Sequence, residues 1–203
     1  MLKILQVFRF LFLFLIIITA GTAFLFSQEN EEKWDYFQFS DKQYFKYKMI
    51  SERGLEGWTS IQVKKGSDDS FDISISGRWT SEFSETVNYR PGMSSFDFIF
   101  SAENFEIATA LGSLMNIDGF IVDNTVFKQG FELSEGDKKL KIKGTDEYCG
   151  ISGFILEYSA KNPVNQTSST SIYSINTALP LPLYAKVPAA NDTWIYELVE
   201  FRK

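Results

Sequence analysis

The side chains that could do chemistry are few, and the first to weigh is a lone thiol. Cys149 is the single cysteine of a 203-residue chain that contains no histidine. An intramolecular disulfide is therefore impossible. The missing histidine excludes Ser-His-Asp and Cys-His nucleophiles, the common neutral-pH proton shuttle and most zinc sites. A nucleophilic thiol needs a base or a positive neighbour to ionise. The sequence Glu147-Tyr148-Cys149-Gly150 supplies acid instead. Cys149 reads as a buried structural residue, with an intermolecular disulfide as the alternative.

Carboxylates are the remaining candidates, since a pair of acids hydrolyses a glycosidic bond without histidine. Asp68/Asp69, Asp118/Asp123 and Asp146/Glu147 are the visible sets. The first and third fall in polar loop sequence, where acids are ordinary surface, so a carboxylate hydrolase is the weakest functional reading. Calcium needs only hard oxygen ligands. Asn116, Asp118, Asp123 and Asn124 lie close together, but their spacing matches no EF-hand. Loop residues are the plainer reading, Asp118 and Asp123 stand as the weak metal candidates, and no metal or cofactor is expected. Asn165-Gln166-Thr167 and Asn191-Asp192-Thr193 are glycosylation triplets, which makes Asn165 and Asn191 candidate acceptors. Gly150 to Gly153 has too few glycines, and no following helix, to cradle a phosphate.

Charge narrows the partners. The net charge is −6, and setting aside Lys3 and Arg9 leaves about −8 on the rest. Such a surface repels polyanions, and no basic stripe interleaved with aromatics appears, so nucleic acid is not an expected partner. Lys3 and Arg9 precede or flank an apolar run over residues 10–26, the length that a spanning helix requires, about 17–25 residues. The same run, with Gly21 and Ala23, fits a cleaved signal peptide. Residues 1–28 are therefore expected to be a transmembrane or signal helix. Residues 29–203 are expected to be a single domain outside the membrane, oriented by the positive start and the acidic segment that follows. A single-pass cell-membrane location follows, with a secreted or periplasmic protein as the alternative.

The elements that must position any site read mostly as strands. Phe45, Tyr47 and Met49 alternate with Lys46 and Lys48; Phe71, Ile73 and Ile75 alternate with Asp72, Ser74 and Ser76; Leu140 and Ile142 alternate with three lysines. Period two is the mark of half-buried antiparallel strands. Phe96, Phe98 and Phe100 extend the pattern to a further strand. Pro91-Gly92 and Glu135-Gly136-Asp137 mark turns. Residues 151–158 and 194–201 carry apolar side chains at both parities and are read as central strands. Residues 102–115 fit one accessory helix, with Ile107, Leu111 and Leu114 on a stripe and Ser101 as cap. Residues 179–182, Leu-Pro-Leu-Pro, read as an extended segment at a sheet edge.

The fold class expected is mainly β: an antiparallel sheet, sandwich-like or curved, with one accessory helix, behind the N-terminal transmembrane or signal helix. Twenty phenylalanines then need a place. They fill a core between layers or line a groove for an apolar ligand. The functional reading is a non-catalytic binding or assembly module at the outer face of the cytoplasmic membrane. Its partners would be the membrane, through the N-terminal segment, and a protein or an apolar ligand. The alternative is a carrier for lipid or another hydrophobic ligand on a curved sheet.

Overall fold

Among the described residues, alternating apolar positions become ten strands that pair into one antiparallel sheet. The computed structural model describes residues 34, 38–103, 105–114, 124–161, 167–189 and 192–203. Among these, β1 (Tyr44–Ser51), β2 (Glu56–Lys65), β3 (Phe71–Arg78) and β4 (Glu82–Tyr89) form an up-and-down meander. Two helices follow, α1 (Ser95–Phe100) and α2 (Phe105–Leu114). A second meander comprises β5 (Glu132–Glu135), β6 (Lys138–Tyr148), β7 (Ile151–Lys161), β8 (Ser168–Ile175) and β9 (Tyr184–Ala189). The last strand, β10 (Asp192–Arg202), lies between β1 and β9 and joins the two meanders into the order β4-β3-β2-β1-β10-β9-β8-β7-β6-β5.

The sheet has an inner and an outer face, and the sequence alternation decides which is which. Phe45, Tyr47, Met49, Ile61, Val63, Ile73, Ile75, Leu140, Ile142 and Leu156 are all buried to within about a per cent on one side. Their neighbours Lys48, Gln62, Ser74 and Lys143 are exposed on the other. Both meanders and both helices contribute to a single buried core, which gives the domain a sandwich-like section. Folding one sheet around its own core requires local coiling. Bulges supply some of it, between Lys46 and Tyr47 on β1 and between Ile142 and Gly144 on β6. Gly57 and Gly77 supply more, because a Cβ at either would strike a backbone carbonyl across the ladder, Arg78 O at the first and Trp58 O at the second.

The fold expectation is corrected at its N-terminus. No helix among the described residues is long and apolar enough to cross a membrane. At 1.5 Å per residue, the six residues of α1 and the ten of α2 fall well short of a hydrocarbon core of about 30 Å. Residues 1–28, where the transmembrane or signal helix was expected, lie outside the described residues. The expectations that depended on that helix, the membrane as a partner through the N-terminal segment and a single-pass cell-membrane location, are withdrawn with it.

Three local readings change as well. The stretch with Phe96, Phe98 and Phe100 is helix α1, not a strand. Ser94 has the extended backbone of an N-cap and its hydroxyl oxygen accepts from the Asp97 N–H at 3.1 Å. It also donates to the Asp97 carboxylate at 2.6 Å. That S-x-x-D start fixes a helix whatever the alternation beyond it. Ser101 closes α1, its hydroxyl donating to Phe98 O at 2.6 Å, and does not open α2. The two-sided look of β10 is partly a register effect: Val199 is the extra residue of the bulge against β1 and is 44% exposed, while Phe201 returns to the inner face with its ring 5.1 Å from Phe45.

The Leu-Pro-Leu-Pro segment departs furthest from expectation. It is not at an edge: Leu179, Pro180, Leu181, Pro182 and Leu183 are all buried in the connection from β8 to β9. A buried connection normally fails because its backbone polar groups go unmet. Proline removes the donors, and two side chains supply the missing partners for the acceptors. Trp34 donates its indole N–H to Leu179 O at 2.6 Å, and Tyr47 its hydroxyl to Pro182 O at 2.8 Å. Burial holds the Tyr47 phenol far above its ordinary pKa, so it stays a donor. Tyr47→Phe is expected to strand the Pro182 carbonyl and cost about 1–3 kcal/mol. A urea unfolding curve superimposable on the unsubstituted protein's would contradict this role.

Candidate functional site

The inner face of the sheet and the layer laid over it are the best-defined candidate site. The layer has two parts. One is the buried proline-leucine crosspiece. The other is the helical pair, which sets Phe98 of α1 and Ile107, Ala110, Leu111 and Leu114 of α2 into the core. The pattern Ile107, Leu111, Leu114 is the stripe that places these side chains on one helix face. Strands β4 and β9 both touch α2, although four other strands separate them in the sheet order. The helix therefore spans the hollow of the curved sheet.

Aromatic rings line both ends of this space. Phe39, Tyr89 and Phe98 meet at one end, with centroids 5.3 Å apart for Phe39–Tyr89 and 5.4 Å for Tyr89–Phe98, both edge-on. Trp79 and Trp194 stack at the other, 5.1 Å apart at 21°, with Phe83 edge-on to Trp79. Met49 sits beneath that stack, its sulfur accepting from the Trp79 indole and the Thr59 hydroxyl. Edge-on and offset rings of this kind add about 0.5–1.5 kcal/mol per pair beyond their burial.

The helical pair is the part of the core with least intrinsic stability. Isolated helices below about 12–15 residues are marginal in water. Ile107 and Thr109 are β-branched, and Gly112 costs about 1 kcal/mol relative to alanine. Burial of the inward stripe holds the pair in place.

The residues singled out for chemistry do not assemble with this face. Cys149 is exposed, not buried. With Gly150 it forms the two-residue turn from β6 to β7, both at positive φ, 52° and 74°. Such a primed turn points the side chain outward, and an Asn or Asp is its usual first residue. The thiol donates to Leu198 O at 3.2 Å, and partial burial with Glu197 and Glu200 nearby raises its pKa, against a nucleophilic role. Asp68 and Asp69 occupy the β2–β3 turn, Asp69 within 3.9 Å of Lys65 in an exposed pair worth little. Asp146 faces outward and accepts from the Ser174 hydroxyl, while Glu147 beside it is exposed at the opposite parity. Asp118, Asp123, Asn165 and Asn191 lie outside the described residues, so their roles stay as sequence expectations. Among the described residues no group of three Cys, Asp or Glu side chains gathers in a way that could hold a metal ion.

One outer-face feature was not visible in the sequence. The rings of Tyr148 and Tyr184 stack at 5.3 Å and 17°, although β6 and β9 are separated in the sheet by β7 and β8. The β6–β7 hairpin runs past the end of β8 and bends over β9 and β10. Gly153 lets it do so, because a Cβ there would meet the Ser174 hydroxyl and the Leu183 side chain. No spacing rule connects Tyr148 to Tyr184; only the hairpin's bend does.

Comparison with known proteins adds little to this geometry. No family model matches the chain, and no curated protein does. Among solved structures, a domain described as an outer membrane lipoprotein-sorting protein from Vibrio parahaemolyticus aligns over 81% of this chain and 86% of its own, at 9% identity and a TM-score of 0.24. An alignment that loose supports no inference about this chain. The class that the fold itself defines is a mainly β domain in which, among the described residues, one antiparallel sheet is covered on its inner side by two short helices.

Proposed function

We propose that this domain is a carrier for an apolar ligand, of the size and chemistry of a lipid acyl chain, held on the inner face of the sheet. The observation that carries the reading is the cover. A short helical pair lies over an aromatic and aliphatic inner face, and its buried stripe is its main hold there. An acyl chain offers the same inner-face side chains an equivalent apolar surface, so ligand and helices compete for one place. In this scheme the helical pair lifts when the ligand enters and closes over the empty site when it leaves.

Binding of a dansylated fatty acid to the full chain tests this, together with Gly112→Ala. A Cβ at Gly112 meets nothing within 4 Å, so the alanine strengthens the closed helix without a clash. The full chain is expected to bind the probe saturably, and Gly112→Ala to raise thermal stability while weakening the probe roughly two- to fivefold. Non-saturable binding, or a stabilised variant with unchanged affinity, would count against a competing lid. The second reading, an assembly module, is favoured by one specific observation, the β4 edge, which no other strand pairs among the described residues.

A further inference from the structure

An open sheet has two edges, and this one treats them differently. The β5 edge is blunted: it is four residues long, and Glu132 on it pairs with Lys139 at 3.2 Å and with Lys141. Short, charged edges of this kind resist further pairing. The β4 edge runs eight residues without proline, lysine or bulge. Its outward side chains are Glu82 at the start and then Ser84, Thr86 and Asn88, which are small and uncharged; Glu85 lies at the inward parity, where its carboxylate accepts from the Glu103 N–H at 2.9 Å. Two are tied back to the sheet, Thr86 to the Ser74 hydroxyl at 2.9 Å and Asn88 to Asp72 at 3.1 Å. Among the described residues no strand pairs with the far side of β4. The result is a regular row of backbone donors and acceptors.

We infer that this edge pairs antiparallel with β4 of a second copy of the chain, about a two-fold axis at Thr86. The residues of the strand select that register. Centring on Thr86 sets Glu82 opposite Arg90 of the second copy, Phe83 opposite Tyr89, Ser84 opposite Asn88, and Thr86 opposite itself. Both ends of the interface then carry opposite charges, and aromatic residues oppose each other on the inner face, both favourable as cross-strand neighbours. Centring on Glu85 instead sets that carboxylate against its own copy. Glu82 and Arg90 are exposed and form no ion pair with each other or with other described residues. The pairing is isologous, so it closes as a dimer and does not propagate into a fibre. It leaves the inner face and its helical cover free, and a ten-stranded sheet becomes a twenty-stranded one across the dimer.

Charge reversal at the two ends tests the register directly. The full chain is expected to dimerise in sedimentation velocity at high micromolar concentration. Arg90→Glu alone, or Glu82→Arg alone, places like charges at both ends and is expected to weaken the dimer about tenfold or more, with the thermal midpoint of the monomer little changed. An equimolar mixture of the two single variants restores opposite charges at both ends and is expected to recover dimer as a heterodimer. A monomeric unsubstituted chain would overturn the proposal. So would a dimer indifferent to either reversal, or single variants whose mixture stays monomeric.

Discussion

Deletion of residues 192–203 is expected to abolish cooperative folding of the whole domain, not to trim its end. Among the described residues β10 is the only strand that pairs with both meanders, in register with β1 from Tyr44↔Arg202 to Ser51↔Trp194 and with β9 from Asp192↔Ala189 to Glu197↔Tyr184. Without it the sheet separates between β1 and β9. The loss is also one of burial. Tyr196 and Leu198 are almost wholly inaccessible, Trp194 stacks on Trp79, and Phe201 packs on Phe45. At about 1.5–3 kcal/mol for each fully buried side chain of this size, Tyr196 and Leu198 alone contribute a large share of the total stability of an ordinary domain, about 5–15 kcal/mol, and the half-buried Trp194 and Phe201 add to it. The deletion also exposes the inner rows Phe45, Tyr47, Met49 and Ala185, Val187 along two new edges, which favours aggregation. Size-exclusion chromatography and a thermal melt decide the matter. A soluble monomer with a sharp transition would show that each meander folds alone.

The same topology sets when folding is complete. Pairing β1 with β10 joins residues near 44 to residues near 202, so the central ladder has the longest loop to close. Folds dominated by such non-local pairs are slow. On this topology the first meander is expected to keep one edge of β1 open until β10 is available to pair. The helical pair gives that waiting state some cover, since it follows β4 directly and packs its stripe against the inner face.

Much of this architecture is legible from local rules, and the limits of those rules are physical. Alternation along residues 44–50, 71–76 and 139–143 corresponds to β1, β3 and β6 because each has one face in the core and one in water. The stripe Ile107, Leu111, Leu114 corresponds to α2 for the same reason at period 3.6. Helix α1 is obscured because three phenylalanines at spacing two imitate a strand, and six residues are too few to show a helical period. The capping pair Ser94 and Asp97 was the available signal. The proline-leucine crosspiece is obscured because its partners, Trp34 and Tyr47, lie 145 and 135 residues away in sequence. For Cys149 the usual burial of a free cysteine misleads, since a turn with two positive φ values places the side chain outside whatever its polarity. The candidate site is the least legible part. Aromatic abundance implies a large apolar interior, but only the sheet order and the contacts of α2 with both β4 and β9 show that this interior lies on one side of the sheet beneath a helical layer.

Gly77→Ala is the single substitution expected to do most damage for the smallest change in volume. Gly77 is buried on β3, opposite Thr59 on β2 and Phe83 on β4. An added Cβ would lie 2.5 Å from Trp58 O and would strike the Phe83 ring. The ring is able to rotate away; the carbonyl is part of the ladder and moves only if β2 and β3 move. Overpacking that forces backbone shifts costs about 1–3 kcal/mol and sometimes more. The upper end applies here because Gly57 makes the matching close approach to Arg78 O, so the ladder leaves no room for a Cβ from either strand. Gly144→Ala is the control: it lies in a strand at a bulge, but its Cβ would meet nothing within 4 Å. Denaturant midpoints are expected to fall sharply for Gly77→Ala and to stay near the unsubstituted value for Gly144→Ala. Adding Phe83→Leu to Gly77→Ala relieves only the ring contact and is not expected to restore stability. Full rescue by that second substitution would mean that the ring, not the backbone, limits the site, and that the tight coil of β2 and β3 does not depend on the missing side chain. If the backbone limits it, the glycine is what lets four strands curl far enough for α2 to reach from β4 to β9, and the hollow that the ligand would occupy begins at that residue.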